Sequence, residues 1–161
     1  MDSYYDNISS GYNRLYGEEQ ERKYIILKGL LKTAGLDILL DVGCGTGLAR
    51  RHFKCNYIGI DPALKLLGQS EAKGLICATA ECIPLKDRSC DVVISVTSMH
   101  NFGDIEAGFR EMLRVGKSRF GFAILSKSRE KDRIIKLIEK GLFDLTRVDC
   151  GPDIVISAGR R

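Results

Sequence analysis

No stretch of the chain approaches the roughly 18–20 consecutive apolar residues that a membrane span requires. Its polar, acidic opening, Met1-Asp2-Ser3-Tyr4-Tyr5-Asp6, is unlike a secretory signal. Histidine is scarce, with two residues, and none of the six cysteines (Cys44, Cys55, Cys77, Cys82, Cys90, Cys150) forms a C-x-x-C pair. A zinc cluster or a disulfide framework is therefore not expected. Most of the cysteines lie in or beside apolar runs, where the thiol behaves as a small hydrophobe. The expectation is reduced thiols, no metal and a cytoplasmic location. A net charge of +4 is too mild to point to nucleic acid by itself.

Against those absences stands an ordinary globular composition, 44% hydrophobic and 29% charged over 161 residues. That length suits one domain, residues 1–161, with a leader at 1–17 and a core at 18–161. The seventeen glycines gather at turns, most densely at Gly43, Gly45 and Gly47.

Glu18 to Ala34 has helical periodicity, with Tyr24, Leu27, Leu31 and Ala34 on one face and Gly35 as a stop. The leader holds four tyrosines and shows no comparable period. From Ile38 the chain alternates strand and helix. Strands are expected at Ile38–Val42, Tyr57–Ile60, Leu75–Thr79, Asp91–Thr97 and Phe120–Leu125. Helices are expected near Thr46–Phe53, from Pro62 to Gln69, after Asp104 as N-cap, and at Ser128–Lys140. Phe143–Val148 and Ile154–Ser157 are strand-like and joined by a five-residue Gly-Pro connection, too short for a parallel crossover. The fold class is α/β, a doubly wound, Rossmann-like sheet of seven strands. It is mostly parallel, with a C-terminal antiparallel hairpin and helices on both faces.

The strongest local signal is Leu39-Leu40-Asp41-Val42-Gly43-Cys44-Gly45-Thr46-Gly47. A strand ends in an acid, and alternate glycines turn tightly into a helix. Missing side chains let a ligand approach the backbone, and a helix start offers free N–H groups to anionic atoms. The spacing is G-x-G-x-G; Leu48 replaces the third glycine of a dinucleotide fingerprint, and the lysine of a phosphate-binding P-loop is missing. Asp61 ends the second strand, where a carboxylate at the switch point can accept both ribose hydroxyls. The alternative role for Asp61 is an N-cap ahead of Pro62.

These residues resemble the class I S-adenosylmethionine-dependent methyltransferases, in particular the ubiquinone/menaquinone-methyltransferase-like branch. The likeness lies in the loop Asp41–Gly47, Asp61, the segment Ala80-Glu81-Cys82-Ile83-Pro84-Leu85, the strand Asp91–Ser95 and the helix Arg110–Val115. Tyr5-Asp6-Asn7-Ile8 is similar to the family's leader. The resemblance implies S-adenosylmethionine as cofactor. Asp41, Gly43, Cys44, Gly45 and Gly47 would hold its methionine portion, and Asp61 with Pro62 its ribose. Thr79, Ala80 and Glu81 would flank the adenine, and Ser95, Val96 and Thr97 would face the methyl. Tyr12 of the leader would touch the methionine end. Departures are Thr79, where many relatives carry an acid, and the turn Gly116-Lys117-Ser118-Arg119, shorter than usual. No late substrate lid or N-P-P-Y motif is present; the latter's position reads Thr97-Ser98-Met99-His100-Asn101-Phe102.

Methyl transfer from a sulfonium needs mainly an in-line nucleophile and a dry site. A base is needed only where the acceptor must lose a proton. His100, just past the fourth strand, is the candidate base, whereas His52 reads as structural. The basic residues from Lys127 to Lys136 alternate with acids, as on a solvated helix face. A small-molecule acceptor is favoured. The alternatives are an RNA or translation-protein methyltransferase with a partner, or a catalytically silent cofactor-binding protein. Because only the leader remains to cover the strand tips, a homodimer or a small activating subunit is also expected.

Overall fold

In a computed structural model, which describes the backbone of residues 3–160 and the side chains of residues 17–160, the apolar runs pair into one sheet. Its seven strands are β1 (Ile38–Val42), β2 (Asn56–Asp61), β3 (Leu75–Cys77), β4 (Cys90–Val96), β5 (Gly116–Ile124), β6 (Phe143–Cys150) and β7 (Asp153–Gly159), in the order β3-β2-β1-β4-β5-β7-β6. The first five run parallel; β7 inserts antiparallel between β5 and β6. The chain starts at the centre, winds outward to β3, then returns to β4 on the other side of β1. That reversal opens a crevice at the C-terminal ends of β1 and β4, where open α/β sheets bind ligands.

Four helices accompany the sheet among the described residues: α1 (Ser3–Leu31), the short α2 (Leu64–Leu67), α3 (Ile105–Val115) and α4 (Lys131–Gly141). On one face α3 and α4 bury Phe109, Met112, Ile134 and Ile138 against Leu40, Val42, Val93, Phe120 and Phe122. On the other, α1 and a 3-10 turn at Leu48–Arg51 bury Tyr24, Leu27, Leu31, Ala49 and Phe53 against Leu39, Val92 and Ile94. The central strands β1 and β4 are largely apolar and buried on both faces because both are covered, whereas the edge strand β6 is mostly exposed. Each fully buried Leu or Phe contributes about 1.5–3 kcal/mol. Gly121 sets how closely α1 approaches: a Cβ there would come within 2.8 Å of Leu27 and 2.9 Å of Leu31.

Several local expectations change. The helix expected at Glu18–Ala34 begins at Ser3 and ends at Leu31. No proline interrupts residues 3–31, so the backbone runs on through the leader. Lys32 ends the helix with φ 45, three residues ahead of Gly35. The helix expected at Thr46–Phe53 shrinks to the 3-10 turn because Gly43, Gly45 and Gly47 all hold positive φ (76, 54 and 73) and extend the loop. The helix after Pro62 keeps only Leu64–Leu67. Asp104 caps α3 as expected, its carboxylate accepting the Ala107 N–H at 3.0 Å. The hairpin narrows to a turn at Gly151-Pro152. Cys44, Cys55, Cys90 and Cys150 are buried; Cys77 and Cys82 are exposed. Among the described residues, no helix is long and apolar enough to cross a membrane.

Candidate cofactor and acceptor cleft

A cleft of about 640 Å³ opens at the C-terminal ends of β1, β2, β3 and β4. Four separate stretches meet in it: Gly43–Thr46, Asp61–Pro62, Ala78–Glu81 and Val96–Ser98. The volume lies in the roughly 300–1,000 Å³ range of small-molecule sites.

The glycine loop is held by backbone bonds. The N–H groups of Gly43 and Cys44 both donate to the Ile60 carbonyl, at 2.8 and 2.9 Å. Gly43 also needs its missing side chain, since at φ 76 a Cβ would sit 2.5 Å from Ser98. The Ser98 hydroxyl in turn donates to the Val42 carbonyl at 2.8 Å, so β4's exit is fastened to β1's.

Asp61 is buried and accepts two backbone bonds, from Gly45 N–H at 2.9 Å and Ala63 N–H at 2.8 Å. It therefore ties the glycine loop to the start of α2, a local structural role, while lining the cleft. Each carboxylate oxygen has a second lone pair for a hydroxyl.

Asp41 sits apart, beneath the loop and outside the cleft lining, 1% exposed, with the Tyr57 hydroxyl donating to it at 2.8 Å. Burial pushes its carboxyl up to about 7, opposed by the Tyr57 bond and reinforced by Asp61. Burial, with Asp41 and Asp61 nearby, likewise pushes the Cys44 thiol up to about 12. Cys44 is thus an inert part of the loop, not a nucleophile.

The segment after β3 is braced by α3. Arg114 donates to the carbonyls of Ile83 (2.9 Å) and Leu85 (2.8 Å), while Glu111 accepts the Ile83 N–H at 2.9 Å and pairs with Arg114 at 2.7 Å. The Ala80–Leu85 and Arg110–Val115 motifs are therefore one physical unit. Glu81 accepts the Asp104 N–H at 3.0 Å. Burial would raise its carboxyl, but that bond and others from Glu81, Thr79 and Gly103 hold it below the usual carboxylate range.

Of the residues singled out from sequence, Gly43, Cys44, Gly45, Asp61, Pro62, Thr79, Ala80, Glu81, Val96 and Thr97 line the cleft. Gly47 faces a neighbouring groove with Arg50, Arg51 and Ser70. Ser95 is fully buried, its hydroxyl 2.6 Å from that of Ser98, so Ser98 takes the lining position instead. His100 lies on a separate, polar cavity with Asp104, Glu106, Glu130 and Arg133. Burial lowers its pKa, with Asp153 acting in the opposite sense. His52 stacks on Tyr24 with ring centroids 5.2 Å apart. The side chain of Tyr12 lies outside the described residues.

Sequence reasoning missed Gln20 and Tyr24, which line the cleft from α1, along with Asn101 and Phe102 after β4. The Gln20 amide donates to the Thr97 hydroxyl at 2.9 Å. A signal existed: Gln20 lies four residues before Tyr24 and seven before Leu27, a polar residue on an otherwise apolar seam. Among the described residues, no group of three or more His, Cys, Asp or Glu could hold a metal ion.

Sheet order and cleft together define a Rossmann-like fold with a cleft at the topological switch point. The methyltransferase domain model matches residues 40–123, just over half of the chain, so the chain belongs to that family, the class I S-adenosylmethionine-dependent methyltransferases. It is similar to the uncharacterized protein MJ1252 of Methanocaldococcus jannaschii, 33% identical over 147 residues, covering 87% of this chain and 57% of that one. It is also similar to a malonyl-[acyl-carrier protein] O-methyltransferase of a Marinomonas species, 32% identical over 135 residues, covering 76% and 49%. The chain spans about half the length of the curated relatives it matches. In fold it resembles a chain from a complex between the Haloferax volcanii Trm112 methyltransferase activator and an inferred methyltransferase. That match has a TM-score of 0.75 at 13% identity and covers 99% of this chain and 98% of that one.

Proposed function

We propose that this chain transfers a methyl group from S-adenosylmethionine, held in the cleft, to a small-molecule acceptor entering beside Thr97 and Phe102. One observation carries the reading: the glycine loop, Asp61, the Thr79–Glu81 segment and the tip of β4 converge on a single cleft. The residues fit the cofactor chemically. Asp61 offers carboxylate lone pairs to ribose hydroxyls, Thr79–Glu81 offers backbone to an adenine edge, and Gly43 and Gly45 let a methionine moiety approach the main chain. When bound, S-adenosylmethionine supplies an electrophilic methyl on a sulfonium, with a neutral thioether as leaving group.

The protein's own part is to orient and to exclude water. Gln20 and Tyr24 wall the cleft from α1, Phe102 and Leu66 close it with apolar surface, and Asp61 ties the loop through the Gly45 N–H. Tyr12 of the leader is proposed to reach the methionine end. His100 faces the outer cavity, so this reading gives it no proton to move. Similarity to a demethylmenaquinone methyltransferase, 29% identical over 115 residues, supports a small-molecule acceptor.

A second reading is a macromolecular acceptor, RNA or a translation protein, with a small activating subunit bound. It is favoured by the match in fold to one chain of the Trm112 complex structure, over 99% of this chain, and by Leu64, exposed two residues before the cleft-lining Leu66. Transfer of labelled methyl to metabolite, RNA and protein fractions, with and without a co-purified subunit, tests both. Label in the metabolite fraction from the chain alone is the expected result. Label only in RNA or protein, and only with the subunit, replaces the first reading with the second. Cofactor bound without transfer to any fraction would leave a silent binding protein.

A further inference from the structure

Helix α1 docks on the sheet in two different ways along its length. Its C-terminal turns are held by apolar contact, with Leu27 and Leu31 fully or nearly buried against Gly121. Its turns nearer the cleft are held by polar groups on the same seam. Lys23 is 2% exposed, and its ammonium lies 2.6 Å from the carboxylate of Asp153, itself 3% exposed. Gln20, one turn earlier, is buried and bonded to Thr97.

Lys and Asp are almost never buried this deeply unless paired. Desolvating both charges offsets most of their attraction, so such a pair contributes little net stability. What it adds is direction, because only one placement of α1 satisfies both charges. Asp153 is itself fixed at the start of β7, its other oxygen accepting the Ser126 N–H at 2.9 Å, and the Ser126 hydroxyl bonds the Pro152 carbonyl. Thr97 is also constrained: φ is 51, a region a β-branched residue rarely adopts, and its N–H donates to the Ala123 carbonyl at 2.8 Å. Strain of this kind persists only where the surroundings over-determine it. Here the Gln20 amide and β5 do so.

We propose that the buried Lys23–Asp153 ion pair is a positioning latch that sets how the cleft-side turns of α1, carrying Gln20 and Tyr24, lie over the cofactor. Lys23 touches no cleft surface; it acts through Gln20 and Thr97. The pair spans 130 residues of sequence and joins the first helix to the last hairpin, so cofactor affinity is tied to a contact far along the chain from any cofactor motif.

The proposal rests on the cofactor occupying this cleft, which Asp61→Ala tests separately: a folded Asp61→Ala variant that binds like wild type overturns the cleft assignment, whatever Lys23 does. The latch is tested with Lys23→Met, Asp153→Asn, the apolar pair Lys23→Met/Asp153→Leu, and Gln20→Leu alone and with Lys23→Met. The readouts are thermal unfolding without cofactor and calorimetric titration with S-adenosylhomocysteine. Each single variant that folds is expected to bind at least about tenfold more weakly; Asp153→Asn preserves shape where Lys23→Met loses the fold. The apolar pair is expected to regain thermal stability but not affinity, a separation that a purely structural role would not produce. Gln20→Leu is expected to weaken binding in the wild-type background and to add little to Lys23→Met or, should that variant not fold, to Asp153→Asn. Wild-type affinity in a single variant, affinity returning together with stability in the apolar pair, or full additivity with Gln20→Leu would overturn the latch.

Discussion

The two halves of the cleft are built by different means. On the β1–β2 side, residues close in sequence do the work. Gly43 and Cys44 bond Ile60, and Gly45 bonds Asp61, all within a span of about twenty residues, largely through the main chain. On the β4–β5–β7 side, side chains distant in sequence do it: Gln20 to Thr97, Lys23 to Asp153, Asp153 to Ser126. A ligand shared by a whole class needs an invariant shape, which backbone and glycine provide. The half that supports α1, and that on the proposed reading would meet the acceptor, is set by side chains and so is free to differ.

The largest expected effect breaks the backbone-built half. Gly43→Ala places a methyl 2.5 Å from Ser98 at φ 76. Left-handed strain and overpacking together should cost about 2–5 kcal/mol of stability. Calorimetric cofactor binding should disappear; a variant binding like wild type would show that the loop relaxes freely.

Next comes Asp61→Ala. Loss of a charged acceptor should cost about 2–4 kcal/mol of cofactor binding. The Gly45 and Ala63 N–H groups lose their partner, but the open cleft lets water replace it, so circular dichroism should remain that of a folded protein. Unchanged affinity would reduce Asp61 to a loop tie.

How much of this was legible in the sequence follows the same division. The glycine loop, Asp61 and the hairpin could be read from local pattern because bonds between near neighbours build them, and the five parallel strands because each is a short apolar run, although their pairing is long-range. Helix α1 could not be read fully. Its start signals at Glu18 and Glu19 lie inside a helix that begins at Ser3, since a run without proline does not stop at a favourable cap. Gln20 and Lys23 escaped because a polar residue on an apolar seam acquires meaning only through its partner, here Thr97 and Asp153. His100 looked catalytic from its place after β4. The turn Met99–Asn101 points Met99 into the core and Asn101 into the cleft, and leaves His100 on the outer cavity.

A smaller effect is proton-linked. Asp41 has its carboxyl raised from 3.8 to about 7 by burial. Its native state therefore holds a proton that the unfolded chain releases, and this contribution is full below about pH 4 and lost as pH rises through about 7. Asp41→Asn, uncharged throughout, should gain stability relative to wild type on the order of 2 kcal/mol between about pH 5 and pH 8. Thermal unfolding at both values measures it, and an unchanged difference would mean that Asp41 stays ionised. The smallest effect belongs to His100→Ala, which should leave cofactor affinity unaltered and turnover within about threefold, since the ring lies outside the cleft. A turnover loss of a hundredfold or more at normal affinity would restore it as a base.

The central claim is that this cleft is built for S-adenosylmethionine, and calorimetric titration of the wild-type chain tests it most directly. Binding of S-adenosylmethionine or its demethylated product in the micromolar range, with no comparable binding of NAD, is the predicted result, because Leu48 occupies the position of a dinucleotide loop's third glycine. A preference for NAD, or heat from neither cofactor, would contradict the account.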